Sequence, residues 1–220
     1  MNKLLYIESS PRKDRSISIS VAEEFLNAYY IANPMDEIDK IDLWDFPLPE
    51  FDGDVIGAKY SILHEEEPTP EQADAWQEVV DLCDRFRSAD KYLFSLPMWN
   101  FSVPYKLKQF IDVLTQPGLT FSYSSETGYD GLIKRKPAAV ICSRGGEYPE
   151  GTSWKSFDFQ KPYMETWLEF IGFTDIHTIL IEATLDHTRV DGAKRLAIKQ
   201  AQEIGTHFYH GATVTAGKCF

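Results

Sequence analysis

Five short apolar runs alternate with segments of helical periodicity along the 220 residues of this chain. The runs are Leu4 to Ile7, Ile38 to Leu43, Tyr92 to Leu96, Ala138 to Cys142 and Ile176 to Ile181. Their β-branched and aromatic content and their shortness predict strands, most of them buried on both faces. Charges interleave in Ile38 to Leu43, which predicts an edge strand. Between the runs lie stripes at the i, i+3, i+4, i+7 spacing of amphipathic helices. These are Ala22, Phe25, Leu26 and Tyr29; Trp76, Val79, Val80 and Cys83; Leu107, Phe110, Ile111 and Leu114; and Met164, Trp167, Leu168 and Ile171. A last helix, from Asp191 to Phe208, is expected to turn Ala193, Leu196, Ala197 and Ile204 inward. Such an order admits few solutions: a parallel sheet, right-handed crossovers and helices on both faces.

Five strands favour an α/β flavodoxin-like three-layer sandwich, sheet order 2-1-3-4-5, over a six-stranded dinucleotide fold. Pro104 suits a helix start and Pro117-Gly118 the exit of the same helix. One domain is expected over residues 1–210, decorated by inserts at Trp44 to Thr69 and Thr115 to Lys136, with Gly211 to Phe220 as a C-terminal tail. The net charge of −12, from 22 basic and 34 acidic residues, argues against nucleic acid and anionic lipid as partners. No apolar run approaches the roughly 20 residues of a membrane span, and the start has no signal-peptide pattern, so a cytoplasmic protein is expected. Cys83, Cys142 and Cys219 form no CxxC, the five histidines form no ligand pattern, and Glu65-Glu66-Glu67 reads as a solvated loop. No metal is expected.

Three loops carry chemistry. The first strand runs into Glu8-Ser9-Ser10-Pro11-Arg12-Lys13-Asp14-Arg15-Ser16-Ile17-Ser18. A basic, hydroxyl-rich loop entering a helix N-terminus suits a phosphate; it suits equally a helix merely capped by Ser16 or Ser18. It has neither the GxxxxGK nor the GxGxxG pattern, which counts against an ATPase and a Rossmann site. The third strand delivers Pro97-Met98-Trp99-Asn100-Phe101 and Pro104. Trp99 and Phe101 could be packing residues, whereas the Asn100 carboxamide can offer donor and acceptor to a heterocycle edge. The fourth strand ends in Ser143-Arg144-Gly145-Gly146, where paired glycines allow φ > 0 and close backbone approach, or simply an ordinary loop.

In a 2-1-3-4-5 sheet these loops converge on one crevice at the carboxyl edge, by the topological switch point. A ligand with a phosphate at one end and a planar, hydrogen-bonding ring at the other is implied. Flavin mononucleotide (FMN) fits best.

Taken together, Ser9-Ser10, Ser16-Ile17-Ser18, Pro97 to Phe101 with Pro104, Gly118-Leu119-Thr120-Phe121, Ser143 to Gly146 and Phe170-Ile171-Gly172 resemble the FMN-dependent NAD(P)H azoreductases. These are dimeric flavodoxin-like quinone and azo-dye reductases. The resemblance covers nearly the whole chain. It implies one non-covalent FMN per subunit and active sites at the interface of a homodimer. By position, Ser10, Ser16, Ile17 and Ser18 would hold the phosphate. Pro97, Met98, Trp99, Asn100 and Phe101 would line the ring, and Ser143, Arg144, Gly145 and Gly146 its other side. Phe121 and Phe170 would close the substrate pocket, one or both from the partner subunit. Trp99 stands where the family often has a smaller aromatic.

The activity implied is two-electron reduction of quinones and reductive cleavage of azo compounds with NADH or NADPH as donor. Donor and acceptor would share one site, which gives ping-pong kinetics, and no side chain need be a catalytic acid. Asn100 and the Gly145-Gly146 amides would stabilise charge on the reduced ring. Tyr123, Tyr129 and Arg144 are further candidates for touching donor or substrate. Two rivals are a flavodoxin-type FMN electron carrier and a phosphoryl hydrolase of the same fold. The second would need a nucleophilic Cys or Asp that Ser9-Ser10 does not supply.

Overall fold

In the computed structural model, which describes residues 1–64 and 66–209, every apolar run becomes a strand within one residue of the expected bounds. Glu65, His210, Cys219 and the tail Gly211 to Phe220 lie outside the described residues. The strands are β1 Lys3–Glu8, β2 Glu37–Asp42, β3 Lys91–Pro97, β4 Phe121–Ser124, β5 Gly128–Gly131, β6 Pro137–Ser143 and β7 Asp175–Ile181. The helices are α1 Ile17–Ala32, α2 Gly53–Leu63, α3 Pro70–Ser88, α4 Tyr105–Leu114, α5 Lys161–Ile171 and α6 Val190–Thr206.

A parallel five-stranded sheet runs in the order β2-β1-β3-β6-β7, with β2 at an edge as its interleaved charges require. The numbering departs from the expected 2-1-3-4-5 because the Thr115 to Lys136 insert contributes two more strands. These pair antiparallel as β4–β5, apart from the main sheet. The other insert folds as α2, whose N-terminus is capped by the Asp52 carboxylate accepting from the Asp54 and Val55 amides. Neither was expected. Four-residue strands show too little alternation, and the glycines of α2 lower its helical signal.

α1 and α6 cover one face of the sheet, over Leu4, Tyr6, Leu93, Ala139, Ile141, Ile179 and Ile181. α3, α4 and α5 cover the other, over Leu5, Ile7, Phe94, Val140 and Cys142. Leu196 corrects the expected stripe of α6, since it is 61% exposed. The inward row is Ala197, Ala201 and Gly205, all buried. A Cβ on Gly205 would lie 2.5 Å from the Phe25 carbonyl oxygen, so α6 approaches α1 too closely for a large side chain between them.

At the amino edge of the sheet Lys91 is buried, with its ammonium 2.9 Å from the Tyr29 hydroxyl and 3.4 Å from Asp36. Burial opposes ionisation of Asp36, but hydrogen bonds from the Asn2 amides and the Tyr29 hydroxyl, and the Lys91 charge, hold its pKa down at about 2. A depressed carboxylate stabilises the fold above its unfolded value near 3.8 and loses that contribution as pH falls through the folded value. About 2 kcal/mol of stability is therefore expected to disappear between roughly pH 5 and pH 2 through this group. Urea unfolding across that range should show the step in wild type and not in Asp36→Asn.

Candidate functional site

The carboxyl ends of β1, β3, β6 and β7 meet around a crevice of about 230 Å³. After β1 the chain makes a single turn of 3₁₀ helix at Lys13–Arg15 and enters α1 through Ser16, whose hydroxyl oxygen accepts from the Ile19 amide at 3.4 Å. The Ser18 hydroxyl lies 3.1 Å from it, and Ser10 Oγ accepts from the Arg12 amide at 3.4 Å. The loop is pinned from outside. Lys13 has a left-handed backbone (φ 47) and pairs with Asp42, with Asp45 at 3.3 Å and with the buried Glu8 at 3.6 Å. Burial opposes both charges, yet the Lys13 hydrogen bond lowers the Asp42 carboxyl and raises the Lys13 ammonium. Trp44 donates its indole N–H to the Ser9 carbonyl at 3.0 Å.

β3 leads into a two-residue turn closed by reciprocal hydrogen bonds of 2.9 Å between Trp99 and Ser102. Its central residues, Asn100 (φ 46) and Phe101 (φ 72), are both left-handed, the signature of a type I′ turn. Asn tolerates that region; Phe does so at a cost of order 1 kcal/mol or more. The turn stands out from the fold, with Phe101 42% exposed. Behind it Trp99 packs with Trp44 and Tyr105, ring centroids 5.8 and 6.2 Å away.

The glycines after β6 serve differently from the expectation of φ > 0, for neither Gly145 nor Gly146 is left-handed. Gly145 is instead a point of close approach: a Cβ there would come within 2.7 Å of Leu185. The left-handed residue of this region is Ala183 (φ 53), just beyond β7. Arg144 is buried. Its guanidinium donates from Nε and Nη2 to Glu182 at 3.0 and 2.7 Å, and Nη1 lies 2.8 Å from Asp158. With its charge committed to these two carboxylates, Arg144 is not a free cation for a donor or substrate.

Ser10, Ser16 and Ile17 form one wall of the crevice, Pro97, Met98 and Trp99 another, and Ser143, Arg144 and Gly145 a third. Ser18 lies just behind Ser16, while Asn100, Phe101 and Gly146 lie outside these walls. Arg12, from the basic loop, lines it as well, and so do Thr184 and Leu185, which were not expected. Thr184 and Leu185 follow the carboxyl end of a strand, the same signal that marked the other loops.

Phe121 and Phe170 do not reach this crevice within one chain. They pack on each other at 4.9 Å, together with Tyr129 at 5.5 Å from Phe170, and Tyr123 joins through Tyr129. Phe170 and Tyr129 line a separate hollow of about 520 Å³. α5 runs back toward the amino edge before β7 begins, which carries its last turn to the opposite end of the sheet.

The donor set suits a phosphate ester joined to a planar ring. The Ser10 and Ser16 side chains and the amino end of α1 line one end, with Ser18 behind Ser16, and Arg12 forms no ion pair among the described residues. Gly145 lines the other side, with Leu185 packed close against it. Among the described residues no thiol lines the crevice, and burial pushes both Cys142 and Cys83 up to about 12. Among the described residues no group of three His, Cys, Asp or Glu is arranged to hold a metal ion, and no helix is long and apolar enough to cross a membrane.

A family profile described as the flavodoxin-like fold matches residues 2–204. A protein of Desulfotalea psychrophila named FMN-dependent NADH:quinone oxidoreductase is 52% identical over 209 residues, covering 93% of this chain and 98% of its own. One of Nitratidesulfovibrio vulgaris with the same name is 44% identical over 212 residues, covering 94% and 100%. Among solved structures, an azoreductase from Bacillus anthracis str. Sterne superposes with a TM-score of 0.87 at 29% identity, over 94% of this chain and 100% of that one. An FMN-dependent NADH-azoreductase from Bacillus anthracis str. Ames Ancestor, solved in complex with FMN, gives 0.86 at 28%, over 94% and 99%. The fold and crevice are thus those of a flavodoxin-like protein. Within that fold the chain belongs to the family of FMN-dependent NADH:quinone oxidoreductases and azoreductases.

Proposed function

We propose that this protein is an FMN-dependent NADH:quinone oxidoreductase that also cleaves azo compounds reductively, by a ping-pong mechanism. The observation that carries the reading is the meeting of a hydroxyl-lined helix N-terminus and the Pro97-Met98-Trp99 wall in one carboxyl-edge crevice. FMN, when bound, supplies the two-electron hydride chemistry. The chain's part is to hold and to orient. Ser10, Ser16 and Ser18 would hold the phosphate through their hydroxyls, with Ile17 beside it, and the dipole of α1 would favour its charge. Pro97, Met98 and Trp99 would line the ring, with Asn100 and Phe101 reaching it from the turn, and Ser143 to Gly146 would line its other side. Preorganised amides there favour negative charge as it develops. NADH or NADPH, and then the quinone or azo acceptor, would occupy the same exposed face in turn.

A crevice of 230 Å³ is smaller than the pockets that enclose whole ligands of this size. That supports a homodimer in which the partner completes the site, with the exposed Phe101 beside the crevice and the Phe121–Phe170 cluster available to face it. Free, buried Cys83 and Cys142 suit the cytoplasm. A single domain over residues 1–210, followed by a short tail, is the organisation in keeping with this reading.

Purified protein should carry the visible absorption of a flavin, lose it on anaerobic addition of NADH, and regain it with a simple quinone. Initial rates at several fixed quinone concentrations should give parallel double-reciprocal lines. Flavin uptake without sustained quinone-dependent NADH oxidation would instead indicate an electron carrier.

A further inference from the structure

The segment between β6 and α5 contains a buried polar knot that neither family resemblance nor crevice geometry explains. Asp158 and Gln160 are buried, at 4% and 0% exposure, although both lie in a connecting segment. One Asp158 oxygen sits 2.8 Å from Arg144 Nη1 and its other accepts from the Lys161 amide at 3.3 Å, at the start of α5. Gln160 donates to the Leu96 carbonyl at 3.4 Å, near the end of β3. Between them, the Phe159 amide donates to the Phe101 carbonyl at 3.0 Å. Phe101 is the residue of the turn whose backbone is least at home in the left-handed region (φ 72). A strained conformation persists only where its surroundings over-determine it; the Phe159 amide supplies the hydrogen bond to this turn from outside it, and the Phe157 ring packs 5.3 Å from that of Phe101.

The ion pair lies behind that contact. Nη1 and Oδ2 are close but poorly aligned, so neither buried atom makes a hydrogen bond, and the Lys155 ammonium stands further off, 3.8 Å from Oδ2. A pair held off its own optimum marks a position imposed by the segments it joins. Arg144 is fixed at its other end by Glu182 and by backbone bonds to Ile181 and Thr184, so it belongs to the rigid end of the sheet. Asp158 ties the segment between β6 and α5 to that end.

We propose that Asp158 is a positioning residue of the crevice. Through its buried pair with Arg144 it fixes the Phe159 amide, which in turn holds the Asn100–Phe101 turn in its left-handed form against the bound flavin. The flavin half of this statement rests on the function proposed above; the turn half does not.

Asp158→Asn keeps the side chain's size, and Arg144 keeps Glu182 as counter-ion, so no unpaired buried charge is created. In the flavin-free protein, amide hydrogen exchange at Ser102 and Phe159 is expected to quicken about tenfold, with β1 amides unchanged. In the loaded protein the FMN Kd is expected to rise about tenfold and the visible circular dichroism of the flavin to change. Asp158→Glu, which retains the charge, should restore part of each, and it carries the same test if Asp158→Asn does not fold. Unchanged exchange at the turn would overturn the proposal, as would a loosened turn with an unaltered FMN Kd. If wild type takes up no FMN, the exchange measurement alone decides the turn, and the failure belongs to the proposed function.

Discussion

The double variant Ser16→Ala/Ser18→Ala is expected to bind FMN about a hundredfold more weakly than wild type while its affinity for riboflavin is unchanged. The two hydroxyls lie 3.1 Å apart at the first turn of α1, with Ser16 on the crevice wall. A hydrogen bond to a charged group contributes about 1.5–3 kcal/mol, so losing two, even at the low end, gives about two orders of magnitude. Ser16 is also the N-cap of α1, and its loss should lower stability by about 1 kcal/mol. Riboflavin separates the two effects, since it keeps the ring and lacks the phosphate. Fluorescence titration of the flavin-free protein with each ligand checks the prediction; equal weakening of both would place the phosphate elsewhere.

Gly131→Ala is expected to lose about 3 kcal/mol of stability and to displace the β4–β5 pair. A Cβ at this position would lie 2.2 Å from the Gly172 nitrogen and 2.3 Å from the Ile171 carbonyl carbon, both backbone atoms that cannot rotate away. Gly172 returns the constraint: it closes α5 at φ 113, and a Cβ there would sit 2.9 Å from the Gly131 carbonyl carbon. The Ile133 amide donates to the Ile171 carbonyl at 2.8 Å in the same contact. Gly128→Ala is the comparison. Its φ of 76 makes any side chain strained, but nothing lies within 4 Å, so a cost near 1 kcal/mol is expected. Urea unfolding with unchanged m-values should separate the two variants clearly. Because the pair carries Phe121 and Tyr129, Gly131→Ala should also raise the KM for quinone.

The sheet was legible because parallel strands buried on both faces leave unbroken apolar runs, as in Tyr92 to Leu96 and Ala138 to Cys142. The loop residues were legible because carboxyl ends of strands are where such sheets hold ligands. Other features were hidden. Leu196 follows the helical period as well as its neighbours do, and only the closeness of α1 to α6 decides that alanine and glycine face inward. The left-handed backbone falls on Asn100, Phe101 and Ala183 rather than on the Gly145-Gly146 pair, where the turn's own Trp99–Ser102 bonds and tertiary bonds at Phe101 and Ala183 hold it. Arg144 reads as a ligand-facing cation until Glu182 and Asp158, far from it in sequence, take up its charge. Phe121 and Phe170, expected to close the substrate pocket, pack on each other 4.9 Å apart, and where they stand relative to the crevice depends on the direction of α5.

The two faces of the sheet are covered by separate apolar clusters, and the crevice loops lead into both. Ser16 and Ile17 open α1 on one side; the Trp99 to Ser102 turn leads to α4 on the other. A ligand seated between them acts as a rivet through the laminate. Its binding free energy then enters the unfolding of the whole chain as RT ln(1 + [L]/Kd), about 2.7 kcal/mol at a hundredfold excess over Kd. The melting temperature of this protein is in that sense a readout of flavin supply.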